Sequence, residues 1–350
     1  MGSLIFWEPT LIIILGANNT IFRTKTYARA GLAGNPSDGF FGKTVSFTMR
    51  NFFAEVVLYS SQNLELLSGR RDRPIYSGIE DMVKGINRFG YYGGIRLLQA
   101  TIKKFHEYCG SRDIKCRSEN FSVRYFSNIP THVGMAGSSA IIIACLQALM
   151  KFYRVDIPKP ELANLALSVE TEELGIGAGL QDRVAQVYDG ITYMDFDREL
   201  MESRGFGHYQ SLDSGLLQNI YLAYKSELSE GSEVFHNDLR RRFNSGETEV
   251  IEAMERWADI AEQVRGCLQS GKSRAIGSLL NANFDLRKSI CNIHPDNLAM
   301  VNAARSVGAS AKFTGSGGAV VGQYEDDKMF EALSIVLARL GVTLVKPTVV

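Results

Sequence analysis

Three short segments carry the residue types that phosphoryl chemistry would use. Residues 130–140 read Pro-Thr-His-Val-Gly-Met-Ala-Gly-Ser-Ser-Ala and run straight into an apolar, helix-like stretch. Small residues let backbone approach a ligand closely. The unpaired N–H groups and positive dipole end of the following helix then face whatever sits there, which suits a phosphate chain. The Ser139 hydroxyl could add a ligand to a phosphate-bound magnesium ion, which prefers oxygen donors and retained waters. Taken alone, Ser138 also reads as an ordinary helix N-cap. His132 reads as a loop histidine, because nothing beside it suggests an orienting partner.

The second segment supplies acids. Glu170-Thr171-Glu172-Glu173-Leu174-Gly175 is followed by Gly177-Ala178-Gly179-Leu180-Gln181-Asp182-Arg183. Metal-assisted phosphoryl transfer needs a carboxylate to hold the ion and a group to orient or deprotonate the attacking hydroxyl. Taken alone, such an acidic run is a solvated helix face. The third segment is residues 29–38, where Gly34 and Gly39 bracket a turn holding Asn35, Pro36, Ser37 and Asp38. It reads either as a plain surface turn or as an Asp held rigidly to accept hydrogen bonds from sugar hydroxyls. Residues 39–44, Gly-Phe-Phe-Gly-Lys-Thr, fall short of a Walker A loop because Ser37 stands where its first glycine belongs, which excludes a P-loop enzyme. Residues 314–318, Thr-Gly-Ser-Gly-Gly, fail the dinucleotide fingerprint, since position 320 is Val. The run Arg240-Arg241-Arg242 reads as solvated surface.

The elements that must position these segments alternate along the chain. Aromatic and β-branched enrichment predicts one or two strands over 47–59, and strands over 121–126, 190–196 and 219–224. Apolar spacing predicts helices over 93–108, 138–153 and 160–174, then 248–268, 273–290, 295–307 and 326–340. Short strands at 311–313 and 319–323 flank the glycine turn. The pattern changes near 197–213, so an α+β chain of two domains is expected, with a mixed first half and a helix-rich second half.

Composition bounds the rest. With 38 basic and 38 acidic side chains in 350 residues, the formal charge is zero, which argues against general nucleic-acid binding. A hydrophobic fraction of 45% excludes a disordered chain. The longest apolar runs, 140–146 and 11–15, are far too short to span a bilayer, and no signal peptide or zinc site is read. Five cysteines without a Cys-x-x-Cys pair suit free thiols in a reducing compartment.

The order of these segments, Arg29 to Asp38, Pro130 to Ser139, Glu170 to Asp182 and Thr314 to Gly318, resembles the GHMP kinases over roughly residues 25–345. Gly-Ser-Ser-Ala at 137–140 is the most specific mark. Within that family, Gly-Asn-Pro-Ser-Asp at 34–38, Tyr-Tyr-Gly-Gly-Ile-Arg-Leu-Leu at 91–98, Gly-Leu-Gln-Asp-Arg-Val-Ala-Gln-Val-Tyr at 179–188 and Lys-Phe-Thr-Gly-Ser-Gly-Gly-Ala-Val-Val at 312–321 look most like the plant-type glucuronokinase branch. The resemblance implies a two-domain α+β fold: a ribosomal S5 domain 2-like unit at 22–200 and a ferredoxin-like unit at 201–348. It also implies ATP and Mg2+ as cofactors and transfer to the anomeric hydroxyl of D-glucuronate, giving glucuronate 1-phosphate. The alternatives are another GHMP sugar kinase, acting on a heptose phosphate or a different uronic acid, or a non-catalytic sugar sensor.

Carried over residue by residue, the resemblance makes Asp182 the catalytic base, assisted by Arg29. Pro130, Gly134, Ala136, Gly137, Ser138, Ser139 and Ala140 match the phosphate loop. Ser139 and Glu170 match the magnesium positions, with Glu172 a second candidate. Asn35, Ser37, Asp38, Lys43, Arg183, Gly315, Ser316 and Gly317 are the expected substrate positions, Lys43 and Arg183 as cations for the sugar's carboxylate. The phosphate loop departs from the family in having Ala136 where Leu is usual. A cytoplasmic enzyme is expected, taking a sugar acid and ATP, with a homodimer as the candidate assembly and neither nucleic acid nor membrane as a partner.

Overall fold

A computed structural model describes residues 20–67, 93–225 and 232–350, with backbone only for 232–237. Residues 1–19 and Tyr91 and Tyr92 of the 91–98 motif lie outside the described residues. The first half is organised on β2 (Lys43–Ser61), a 19-residue strand. Along one edge it pairs antiparallel with β1 (Ile21–Ala33). Along the other it pairs with β5 (Ile191–Asp195) near its start and β4 (Asn120–Ser127) near its end. The short β3 (Glu65–Leu66) extends the sheet beside β4, and β6 (His208–Leu212) beside β5. The gap between β4 and β5 is closed by the chain's last residues: Arg50 N–H donates to Thr348 O (2.8 Å) and Met49 bridges Val349.

Helix α2 (Gly137–Tyr153) is apolar almost all round and correspondingly buried. One side lies on β1 and β2; the others meet α1 (Gly94–Ser111) and α3 (Lys159–Ser168). Pro158 precedes α3 and Pro160 stands in its first turn, where a missing N–H costs nothing. After α4 (Leu180–Tyr188), β5, α5 (Arg198–Arg204) and β6, the chain crosses to a four-stranded antiparallel sheet. Its strands are β7 (Ile220–Tyr224), β8 (Lys312–Phe313), β9 (Ala319–Gln323) and β10 (Thr343–Val345), in the order β10-β7-β9-β8. The division expected at 200/201 falls inside α5, and β6 still belongs to the first sheet.

Helices α6 (Ser232–Asn244), α7 (Thr248–Gln269), α8 (Ile276–Ile290), α9 (Pro295–Ser306) and α10 (Asp327–Ala338) complete the second half. Helix α7 packs on β1 and β2 and buries Trp257 completely, so it joins the first sheet's core. A smaller cluster under the second sheet joins Tyr221, Phe284, Met300, Phe313 and Leu333. The expectation for 47–59 resolves to one strand, and that for 160–174 to α3 followed by a π turn at Val169–Glu173. All five cysteines are free. Among the described residues no helix is long and apolar enough to cross a membrane.

Candidate active site

The loop between β4 and α2 is anchored from beneath by Val133 and Met135, both buried. Gly134 has φ +67° and lies against the 315–317 turn, where an added Cβ would come within 3.2 Å of Gly317 O. Only glycine combines that torsion with that approach. Ala136, at the start of α2, also takes a left-handed conformation (φ 60°). Its carbonyl accepts Ala140 N–H (3.2 Å) and Gln186 Nε2 (2.9 Å), so the loop ends in a fixed turn. The methyl group of Ala136 is about the least a side chain can cost there.

The two serines diverge because neighbours on a helix point about 100° apart. Ser139 Oγ turns into the core and donates to Gln186 Oε1 (2.6 Å). Ser138 Oγ faces the acids and donates to Glu170 Oε1 (2.7 Å). Thus Ser138, rather than the expected Ser139, is the hydroxyl beside Glu170. Glu170 itself is buried in the π turn, and its Oε2 accepts from Arg183 Nη2. A π turn is a local irregularity that often marks functional positions. Glu172 points outward, 67% exposed, to Lys104 of α1 at 2.8 Å, which removes it from the metal position.

Asp182 sits in the first turn of α4, and its side chain is 23% exposed. Both Nε (2.7 Å) and Nη2 of the buried Arg29 donate to Asp182 Oδ1. The other oxygen, Oδ2, lies 3.6 Å from Arg183 Nη1. Arg29 Nη1 donates to Gly134 O (3.0 Å) and Thr314 O (2.8 Å). One guanidinium therefore joins the acid, the phosphate loop and the glycine turn.

Helix α4 begins at Gly179 with no side-chain cap of its own. Asp38 supplies one from a distant turn, accepting Gln181 N–H. An added Cβ at Gly179 would meet Asp38 Oδ2 at 2.6 Å. Burial, and then the Asp182 charge, push the Asp38 carboxyl up to about 7 against the opposing pull of Arg29.

Several expected substrate contacts are turned inward. Asn35 Oδ1 accepts from Lys312 Nζ (2.6 Å), and the fully buried Ser37 donates to Lys43 O (3.0 Å). Lys43 pairs with Asp195 (3.4 Å) and Glu262 (3.7 Å), and Arg183 with Glu170. Gly315, Ser316 and Gly317 face Gly134 rather than an open cleft; Arg287 holds their turn by donating to Gly315 O (2.7 Å) and Ser316 O (2.6 Å). Arg29 and Ala30 belong to β1, and the turn expected between Gly34 and Gly39 follows directly on that strand.

Sequence reading missed the groups that hold these turns. Lys312 is buried without an acid, donating also to Gly31 O (2.8 Å), and burial followed by Arg287 and Arg29 pulls it well below the usual lysine range. Asn283 Oδ1 accepts Gly34 N–H (2.7 Å), and Asn297 Oδ1 accepts Gly318 N–H (3.0 Å). Gln186 had one available signal: it lies one helical turn after Asp182, on the same face.

Comparison with known proteins agrees with this arrangement. Residues 96–190 match the GHMP kinases N terminal domain. Probable glucuronokinase 2 of Arabidopsis thaliana is 42% identical over 315 residues, covering 88% of this chain and 86% of its own. Glucuronokinase 1 of the same plant is 41% identical, covering 85% and 83%. The Lactococcus lactis galactokinase solved with galactose shares the fold, with a TM-score of 0.69 over 94% of this chain and 93% of that one at 15% identity. The chain belongs to the GHMP kinase family and is a phosphotransferase acting on an alcohol group, of the glucuronokinase kind.

Proposed function

We propose that the chain is an ATP-dependent sugar 1-kinase that converts D-glucuronate to glucuronate 1-phosphate. The observation that carries this is the Arg29 junction: a part-exposed carboxylate oxygen is held beside a loop of backbone donors. Phosphoryl transfer asks for alignment and charge neutralisation more than covalent help, and both are supplied here by fixed groups. The N–H groups of 134–139 and the start of α2 take the β- and γ-phosphates. Asp182 Oδ2 accepts the anomeric hydroxyl's proton as that oxygen bonds to the γ-phosphorus and the bond to the β-phosphate oxygen breaks, releasing ADP. An anomeric hydroxyl is more acidic than an ordinary alcohol, which suits a carboxylate base. The glucuronate assignment is supported by the two plant relatives.

Magnesium fits the donor set. Glu170 and Ser138 offer one carboxylate and one hydroxyl, both hard oxygen ligands, and this ion takes the rest of its shell from phosphates and waters. When bound, it would neutralise phosphate charge. Arg183 occupies the Glu170 carboxylate otherwise, so the buried acid keeps a counter-charge.

The test is ATP consumption across free sugars and uronic acids, with the phosphate position read by ³¹P NMR. Glucuronate is expected to turn over and give an anomeric phosphate signal. Turnover of a heptose phosphate or another uronic acid in its place would reassign the substrate, and sugar binding without ATP turnover would return the sensor reading.

A further inference from the structure

The cation that meets the substrate's carboxylate has to be one whose charge is unspent. Lys43 and Arg183 are each engaged by acids. Lys312 and Arg287 are buried and committed to holding turns. Helix α6 supplies a different case, because its three consecutive arginines have three different fates. Arg241 pairs with Asp238 of its own helix at 2.7 Å. Arg242 pairs with Glu247 and donates to Ile290 O (2.6 Å). Arg240 has no carboxylate within ion-pair distance among the described residues.

Arg240 lies against the turn that carries Asp38. Its Nη2 is 3.5 Å from Gly39 O, and its guanidinium stands 5.5 Å over the ring of the buried Phe40. The placement is fixed from below: Phe243, one turn along α6, packs on Phe40 at 4.9 Å between centroids, and Leu239 is buried. A long contact to one carbonyl leaves most of Arg240's five N–H donors unspent. The neighbouring Asp38 caps the helix that bears Asp182, so the turn that Arg240 touches also abuts the start of that helix. In glucuronate the carboxylate sits on the ring carbon across the ring oxygen from the anomeric centre. A cation reading it would therefore stand a short step from the base.

We propose that Arg240 is the specificity-determining residue, its guanidinium taking the carboxylate of the sugar acid in a two-pronged pair. This rests on the glucuronate reading above. The planar fork matters as well as the charge, so lysine is a poor substitute.

The experiment compares wild type, Arg240→Gln and Arg240→Lys with glucuronate and glucose, by steady-state kinetics and by calorimetric titration with glucuronate. Arg240 is exposed, so folding is expected to be unaffected, as melting curves will show. Arg240→Gln should raise KM and Kd for glucuronate roughly 10–100-fold, the usual weight of charge-assisted hydrogen bonds, with the KM for ATP unmoved. Arg240→Lys should recover only part of that loss. Unchanged glucuronate affinity in Arg240→Gln, with wild type active on glucuronate, overturns the Arg240 assignment alone. A wild type that ignores uronic acids and takes neutral sugars overturns the substrate reading along with it.

Discussion

On the proposed phosphate side, the groups that would meet a ligand are the backbone N–H donors of residues 134–139, and the side chains around them are tied to one another. Ser139 is held by Gln186, and Ser138 by Glu170. On the acceptor side, the groups are charges packed close together: Arg29, Asp38, Asp182 and Lys312. The backbone donors of the first region do not titrate. The second depends on which carboxyls are ionised and on a guanidinium that cannot be replaced singly. A kinase of this kind should therefore tolerate changes behind its phosphate loop better than changes among its buried charges.

Asp182→Asn is the most damaging test on the charged side. The amide keeps the shape and much of the Arg29 contact but cannot take a proton. Turnover should fall roughly 10²–10⁴-fold with nucleotide binding nearly intact, measured by single-turnover kinetics and by titration with a non-hydrolysable ATP analogue. Unchanged turnover would remove Asp182 from the base role.

Arg29→Met attacks the junction itself. It strips donors from Gly134 O and Thr314 O and leaves Asp182 with Arg183, at 3.6 Å, in place of its closer cation. Losing one partner of a buried pair costs about 3–5 kcal/mol, read as a shift in urea midpoint at constant slope. A loss under about 1 kcal/mol would show that the three segments are held by something else.

How much of this was legible follows the same division. The tight turn ahead of α2 could be read because glycines and small residues before an apolar helix report backbone requirements locally. Helices α2, α7 and α9 declared themselves by apolar spacing and, for α9, by Pro295 in its first turn. The roles of Asn35 and Lys43 were not legible, because each is decided by a partner far away in sequence, Lys312 for Asn35 and Asp195 for Lys43, while those of Ser37 and Arg183 turn on how a nearby loop folds back onto Lys43 O and Glu170. Strand β1 escaped for a related reason. In its first half the buried residues are Thr24 and Thr26, with Arg23 and Lys25 outside, and its second half from Ala28 to Ala33 is buried without alternation, so neither half shows apolar residues at every second position. Which of two adjacent serines faces the acid depends on helix phase, which composition does not report.

A pH scan of Asp38→Asn against wild type isolates one charge. The Asp38 carboxyl stands at about 7 in the folded chain against 3.8 for an ordinary Asp. Between those values the folded state binds more protons than the unfolded, so this group's contribution to stability falls as pH rises and levels off above about 7. Asparagine accepts the same Gln181 N–H but does not titrate. The variant's stability relative to wild type should therefore climb by ~2–3 kcal/mol from about pH 5 to about pH 8. A flat difference would mean that Asp38 is ionised throughout.

The smallest effects separate the two serines and test whether the phosphate side is divided as the helix phase implies. Ser138→Ala removes the hydroxyl beside Glu170 and leaves the buried Glu170 Oε1 without its donor, so stability should fall by about 1–3 kcal/mol. If that hydroxyl shares the metal with Glu170, the magnesium concentration for half-maximal velocity should rise about tenfold, in the range seen when groups supporting a metal are removed. Ser139→Ala differs in its magnesium dependence. It leaves Gln186 Oε1 buried without its donor, at a cost of about 1–3 kcal/mol, and the magnesium dependence should stay where it was. Both variants lose the donor to a buried acceptor and should melt lower, so the magnesium titration on each is what separates them. If Ser139→Ala shifted the magnesium titration while Ser138→Ala did not, the metal role would belong to the inward-facing serine, and α2 would have to turn on its axis when the nucleotide binds.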